Sequence, residues 1–291
     1  MPHEAAPILV VANPVAGNFN YRHLMRLAER LDRLGLKSDI WLTRYPGELA
    51  DIAAELSPSV RTLVVGGGDG SINEAITGII RRGGDGPALS ILPFGTANVL
   101  AHELGLPFSP EKLAERIAAG RTTPLYLGTV GERPFSLMVS AGFDADIVHA
   151  VDAPFKRRWG KIAYGWRGLT LALAGTGRDV TVTADGETIR CRIAVVTTAR
   201  FYGGPLAITR HTRATKPGLR LVTLADDRPA TLLRAATALA LGRLDRLATV
   251  QDRAVTEVRF SGEGIRMQID GDRLETTDAP VRAGPIIEVI A

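Results

Sequence analysis

Four short runs rich in β-branched and apolar residues fall within the first hundred residues: Ile8 to Ala12, Asp39 to Thr43, Thr62 to Gly66 and Leu89 to Pro93. Stretches with helical spacing lie between them. In the first, Leu24, Leu27, Leu31 and Leu34 share one face and Gly35 supplies the stop. Strand–helix alternation at this spacing argues for a parallel sheet with helices on both faces, and such sheets bind ligands beyond the carboxyl ends of their strands. After about Pro124 the pattern changes. "DVTVTADGETIRCRIAVVTTA" alternates apolar and polar residues around an Asp-Gly turn, and period-2 patterning returns in "GLRLVTL", "VTEVRFSG" and "IRMQIDGDRLETT". The expectation is an α/β N-terminal domain with a parallel sheet, residues 1–125, joined to a mostly antiparallel β domain, residues 126–291. Helices are expected in the second domain at about 156–174 and 229–241.

The 291 residues, 45% of them apolar, suffice for two cores. A single cysteine, Cys191, rules out a disulfide framework or a cysteine-based zinc site within one chain and favours a reducing cytoplasm. The N-terminus lacks the pattern of a signal peptide, and no window approaches a membrane span. Net charge is only +4, but Phe155 to Gly168 carries five basic residues and no acid. On a helix, Trp159, Ile162, Ala163, Trp166, Leu169 and Leu173 would share one face, with Arg157, Arg158 and Lys161 opposite. That arrangement suits a lipid headgroup surface, or a core-packed helix with a solvated basic face.

The loop after the third run is "GGGDGSINEA". Gly66, Gly67, Gly68 and Gly70 can adopt positive φ and bring bare N–H groups against a polyphosphate, and helical patterning resumes at Ser71, so a helix N-terminus adds to the anion site. Asp69 repels phosphate unless Mg²⁺ lies between them. A tight strand–helix turn with an N-capping serine explains the same residues. Two further loops follow strands: "NPVAGN" after the first and "LPFGTANVLAHELG" after the fourth. Thr96 and Asn98 could reach phosphate or ribose, or cap the following helix.

"NP..G", "GGGDGSINEA" and "PFGTANVLA", in this order, resemble the diacylglycerol kinase catalytic domain shared by bacterial lipid kinases, ceramide kinases and sphingosine kinases. Asn73 and Glu74 point to this branch rather than to NAD kinases or phosphofructokinases, which share the glycine–aspartate motif. The resemblance continues through "FSLMVSAGFDADIV", "KRRWGKIAY", "FYGGPLAIT" and "IDGD". It implies an NAD-kinase/diacylglycerol-kinase-like fold and an ATP-dependent lipid kinase that transfers the γ-phosphoryl group to a diacylglycerol-like or sphingoid lipid.

The resemblance also implies a nucleotide site made by Asn13, Thr43, Gly66, Gly67, Gly68, Asp69, Gly70, Ser71, Asn73, Glu74, Gly95, Thr96 and Asn98. Asp69 would organise Mg²⁺. The family's Asp-Gly-Glu supplies a catalytic carboxylate, and Asp270, Gly271 and Asp272 stand in its place, so Asp272, Asp69 and Asp270 are the candidate catalytic residues. Phosphoryl transfer needs a base near the acceptor hydroxyl, a part assigned to Asp272 in a cleft between the domains. Three departures stand out. Asp272 is one methylene shorter than the family's glutamate. Val99 follows Asn98 where aspartate is usual. Pro217 replaces an aspartate that helps hold a structural Mg²⁺ in many bacterial members. The expected partners are ATP, a lipid substrate and a peripheral membrane surface on the cytoplasmic side, with a homodimer allowed and nucleic acid not expected. An NAD-kinase-like enzyme for a soluble substrate and a non-catalytic nucleotide- or lipid-binding regulator are the alternatives.

Overall fold

The computed structural model describes residues 6–150 and 178–291. The helix expected at 156–174, with its basic face, lies outside the described residues. The chain divides into two compact units, residues 1–125 with 285–291, and residues 126–284.

The first unit is built on β1 (Ile8–Ala12), β2 (Ser38–Leu42), β3 (Thr62–Gly67) and β4 (Ala88–Pro93), in the spatial order β2-β1-β3-β4 and parallel throughout. The end of β18 (Val281–Ile290) joins β4 in parallel at Val289 and Leu89. Strands β1 and β3 are buried along their whole length, which is why they read as unbroken apolar runs. Register sets the functional edge: Ala12 lies opposite both Leu42 and Gly66, and Gly67 opposite Pro93. The loops after β1, β2, β3 and β4 therefore leave the sheet at one edge.

Helix α1 (Tyr21–Arg33) starts where the Asn20 side chain accepts the Arg22 and His23 N–H groups, and it buries Leu24, Leu27 and Leu31. Helices α2 (Glu48–Ala54), α3 (Asp69–Arg82), α4 (Val99–Glu103) and α5 (Pro110–Ala118) complete the unit. Helices α2 and α3 meet closely at Gly78, where a Cβ would lie 2.3 Å from the Ala50 carbonyl oxygen.

The second unit is an antiparallel β sandwich. One sheet runs in the order β14 (Val250–Val255), β13 (Leu219–Leu224), β10 (Ile193–Thr197), β7 (Met138–Gly142), β16 (Met267–Ile269) and β17 (Asp272–Leu274). The facing layer contains β8 (Val180–Ala184), β9 (Glu187–Cys191) and β15 (Glu257–Ser261), and the hairpin of β6 (Arg133–Phe135) with β5 (Thr122–Val130), whose first residues belong to the first unit. Val139, Ala141, Val196 and Met267 from one layer and Val180, Val182 and Phe260 from the other form one buried cluster. The β8–β9 turn has positive φ at Asp185 and Gly186, the Asp-Gly hairpin read from the sequence. Helix α6 (Phe143–Ala150) was not anticipated: its first turn buries Asp144 and Asp146, so it lacks a polar outer face at its start. Helix α7 (Pro229–Ala240) lies where a helix was expected. Among the described residues no helix is long and apolar enough to cross a membrane.

Gly78→Ala should destabilise the protein by about 1–3 kcal/mol in urea unfolding, because backbone rather than a mobile side chain blocks the new methyl.

Candidate functional site

At the edge of the first unit, the loops after β1, β3 and β4 meet at close range. A Cβ on Gly66 would lie 2.8 Å from the Ala12 Cβ, one on Gly67 2.5 Å from the Ser71 Cβ, and one on Gly95 2.5 Å from the Gly68 Cα. None of Gly66, Gly67, Gly68 and Gly70 has positive φ. The expectation of left-handed glycines is thus corrected: Gly66, Gly67 and Gly68 are required by close approach, and Gly70 is exposed with open space where its Cβ would be. Helix α3 begins at Asp69, not Ser71. Its N-cap is Gly68 and no side chain caps that end, which leaves first-turn N–H groups open to an anion. The N-capping serine is excluded, since Ser71 is buried and its hydroxyl accepts from Asn13 Nδ2 at 3.4 Å.

Asn98 is a clamp. Its φ is 47°, its Oδ1 accepts the Gly95 N–H at 2.8 Å and its Nδ2 donates to the Gly95 carbonyl at 2.7 Å. Both polar ends are spent on the loop, and the side chain does not cap α4. Asn18 Nδ2 donates to the same carbonyl at 2.7 Å. Asn18 lies inside the "NPVAGN" loop, and nothing in its local pattern marks it for this contact with a residue 77 positions away. Thr96 is exposed, beside Gly17.

Asp69 takes the capping role that Asn98 does not. Its carboxylate accepts the N–H groups of Val99 and Leu100, each at 3.2 Å. Burial pushes its carboxyl above the usual carboxylate range, and the hydrogen bonds from Leu100 and Val99 only partly offset that. Glu74 accepts the Gly47 N–H at 3.1 Å, and Asn73 lies one residue before it on α3. Buried Glu48 accepts from the Arg44 N–H, its guanidinium and Trp41 Nε1. Burial works to raise the Glu48 carboxyl, and those donors outweigh it, holding the group below its ordinary value. Two carboxylates thus tether the loop that follows Thr43, whose own N–H donates to the Ala12 carbonyl at 2.9 Å. Asn13 donates its N–H to the Gly66 carbonyl at 2.8 Å and receives the Val15 N–H on its side chain.

In the second unit, Asp270 and Gly271 have φ of 49° and 86°, a two-residue turn of the I′ kind between Ile269 and Asp272. The two aspartates of that hairpin do different things. The Asp270 carboxylate accepts the N–H groups of Ser136, Leu137 and Met138 at 2.7, 3.0 and 2.8 Å. That makes Asp270 a positioning residue, not an open carboxylate. Asp272 is exposed. Gln268 accepts the Gly271 N–H at 2.8 Å and donates to Ser140 and Asp144, which Tyr202 also meets. This buried network escaped the sequence reading, because its members are scattered along the chain.

The Diacylglycerol kinase catalytic domain matches residues 7–130, and the YegS C-terminal NAD kinase beta sandwich-like domain matches residues 137–290. A protein of Chromohalobacter salexigens named "Probable lipid kinase YegS-like" is 38% identical over 49% of this chain and 47% of its own length. The Diacylglycerol kinase of Bacillus subtilis strain 168 is 26% identical over 67% of this chain and 66% of its own. The chain thus spans about half to two thirds of the length of these curated relatives. A crystal structure of a diacylglycerol kinase from Bacillus anthracis strain Sterne has a TM-score of 0.71 at 16% identity, covering 98% of this chain and 96% of that one. A second Bacillus anthracis crystal structure reaches 0.80 at 18% identity, covering 98% and 95%. These structures share the fold.

Two outcomes test the site's construction. A raised carboxyl favours the folded state below its unfolded value, and that advantage is lost as pH rises through the folded value. Asp69→Asn, which cannot titrate, should therefore gain stability relative to wild type as pH rises from acid to neutral in parallel urea melts; a constant difference would contradict the shift. Asp270→Ala leaves three backbone N–H groups without their acceptor and should cost at least about 3 kcal/mol, read the same way.

Proposed function

This chain belongs to the diacylglycerol kinase catalytic-domain family and carries the YegS C-terminal NAD kinase beta sandwich-like domain, and from that premise we propose that it is an ATP-dependent lipid kinase. Its acceptor would be the hydroxyl of a diacylglycerol-like or sphingoid lipid. The first unit would hold the nucleotide and the second the acceptor lipid. The meeting of the Gly68 and Gly95 backbones supports this reading most directly: no side chain lies between them, and the N-terminus of α3, with glycine at its N-cap, opens at the same place. Asn13, Thr43 and Thr96 lie on loops of the same sheet edge and would complete the nucleotide site.

Asp69 is the carboxylate at that helix N-terminus, and the described residues contain no group of three or more metal-ligating side chains. One carboxylate fits Mg²⁺, which commonly takes one or two carboxylates and completes its shell with substrate phosphates and water. When bound, Mg²⁺ would neutralise charge on the phosphates. Asp69's hydrogen bonds to Val99 and Leu100 would keep its carboxylate in place. Asp272, exposed on its hairpin, would accept the proton of the acceptor hydroxyl. The hydroxyl oxygen would form the new bond to the γ-phosphorus, the bond from that phosphorus to the β,γ-bridging oxygen would break, and ADP would leave with the electron pair.

The test is transfer of radiolabel from γ-labelled ATP, with Mg²⁺, to a panel of lipids and to NAD. Label should appear on a lipid. Label on NAD alone, or on nothing while ATP binds, would overturn the reading. Asp272→Asn should lower turnover by roughly a hundred- to ten-thousandfold and leave ATP binding intact. Asp272→Glu, which restores the longer family side chain, should keep turnover.

A further inference from the structure

Helix α7 is twelve residues long with one charged side chain, Arg234, and only Ala238 is buried. Leu233, Thr237 and Leu241 recur every fourth residue, so they line one face. Leu233 is 70% exposed and Leu241 64%. With Arg243, Arg246 and Leu247 they line an open hollow of about 500 Å³ at the end of the helix. Strand β12 (Leu206–Ala207) packs beside the helix and adds Leu206, also exposed.

The surrounding arginines fall into two sets. Arg228 is held by Asp226 at 3.0 Å, and the Arg210 guanidinium donates to the Gly242 carbonyl, so these two fasten the ends of the helix. Arg234, Arg243 and Arg246 are exposed and make no ion pair among the described residues. From Pro229 to Val250 the only acid is Asp245. An exposed leucine stripe edged by uncompensated arginines is stable where leucine leaves water while guanidinium groups stay at a polar, anionic boundary.

We infer that this face, α7 with the turn Leu244–Arg246 after it, docks on an anionic lipid surface. Leu233 and Leu241 enter the acyl boundary, and Arg234, Arg243 and Arg246 meet phosphate headgroups. A second copy of the chain suits the face poorly, since a two-fold contact would bring the same arginines together with only Asp245 to answer them. The surface is made of residues other than the basic segment at 155–168, which lies outside the described residues. Docking on lipid needs no ATP and no acceptor, so it stands or falls separately from the kinase reading.

The full chain is mixed with phosphatidylcholine vesicles, with or without phosphatidylglycerol, and the bound fraction is measured by flotation. Binding should require phosphatidylglycerol. It should fall at least about a hundredfold in the combined variant Arg234→Glu, Arg243→Glu, Arg246→Glu, and at least about tenfold in Leu233→Ser with Leu241→Ser. All five side chains are exposed, and circular dichroism with thermal melting checks that the variants fold. Unchanged binding in both variants, or no vesicle binding by wild type, overturns the inference. So does a result in which the leucine variant splits a dimer in sedimentation velocity while its vesicle binding is unaltered.

Discussion

The constraint at the candidate site is the meeting of two backbones at Gly68 and Gly95, where a Cβ on Gly95 would lie 2.5 Å from the Gly68 Cα and one on Gly68 3.0 Å from the Gly95 Cα. At Gly95 nothing bulkier than hydrogen fits. Across these loops Asn18 reaches the Gly95 carbonyl and Asp69 reaches the first turn of α4, while Asn98 spans Gly95 within its own loop. The Asn18 and Asp69 hydrogen bonds are made where the loops come this close. Widening that approach by one methyl group would misplace both together.

Asp69 shows what such a contact does to chemistry. Drawn partly out of water, its carboxyl is raised by desolvation, while the two N–H groups of α4 favour its charge. A cation placed beside it would supply the compensation that solvent no longer gives. The same group holds the loops together and is the one proposed to meet Mg²⁺, so a substitution there would disturb structure as well as the proposed function.

The hairpin at Asp270 and Asp272 divides its labour differently. Two carboxylates two residues apart take opposite environments: one is consumed by the N–H groups of Ser136 to Met138, the other is left to solvent. Left-handed φ at Asp270 and Gly271 turns the chain tightly enough for this, and Gln268 fixes the turn from behind by accepting the Gly271 N–H. A rigid turn would suit the proton-accepting part proposed for Asp272, since freedom of the hairpin would otherwise dilute its encounter with a hydroxyl.

Much of this was legible in the chain by itself. Strands buried on both faces must be written as continuous apolar runs, so β1 and β3 announced themselves, as did α1 through its leucine face and the β8–β9 turn through Asp-Gly. Local patterning also located the glycine-rich loops at strand ends. Tertiary structure alone decided why the glycines are there, that Asp69 caps α4 from about thirty residues away, and that Asp270 is spent on backbone over a hundred residues distant. The division has one physical cause. Periodicity and turn chemistry act over a few residues and are written in neighbouring letters, whereas a hydrogen bond or a missing Cβ is specified by whichever distant backbone the folded chain brings within about 3 Å.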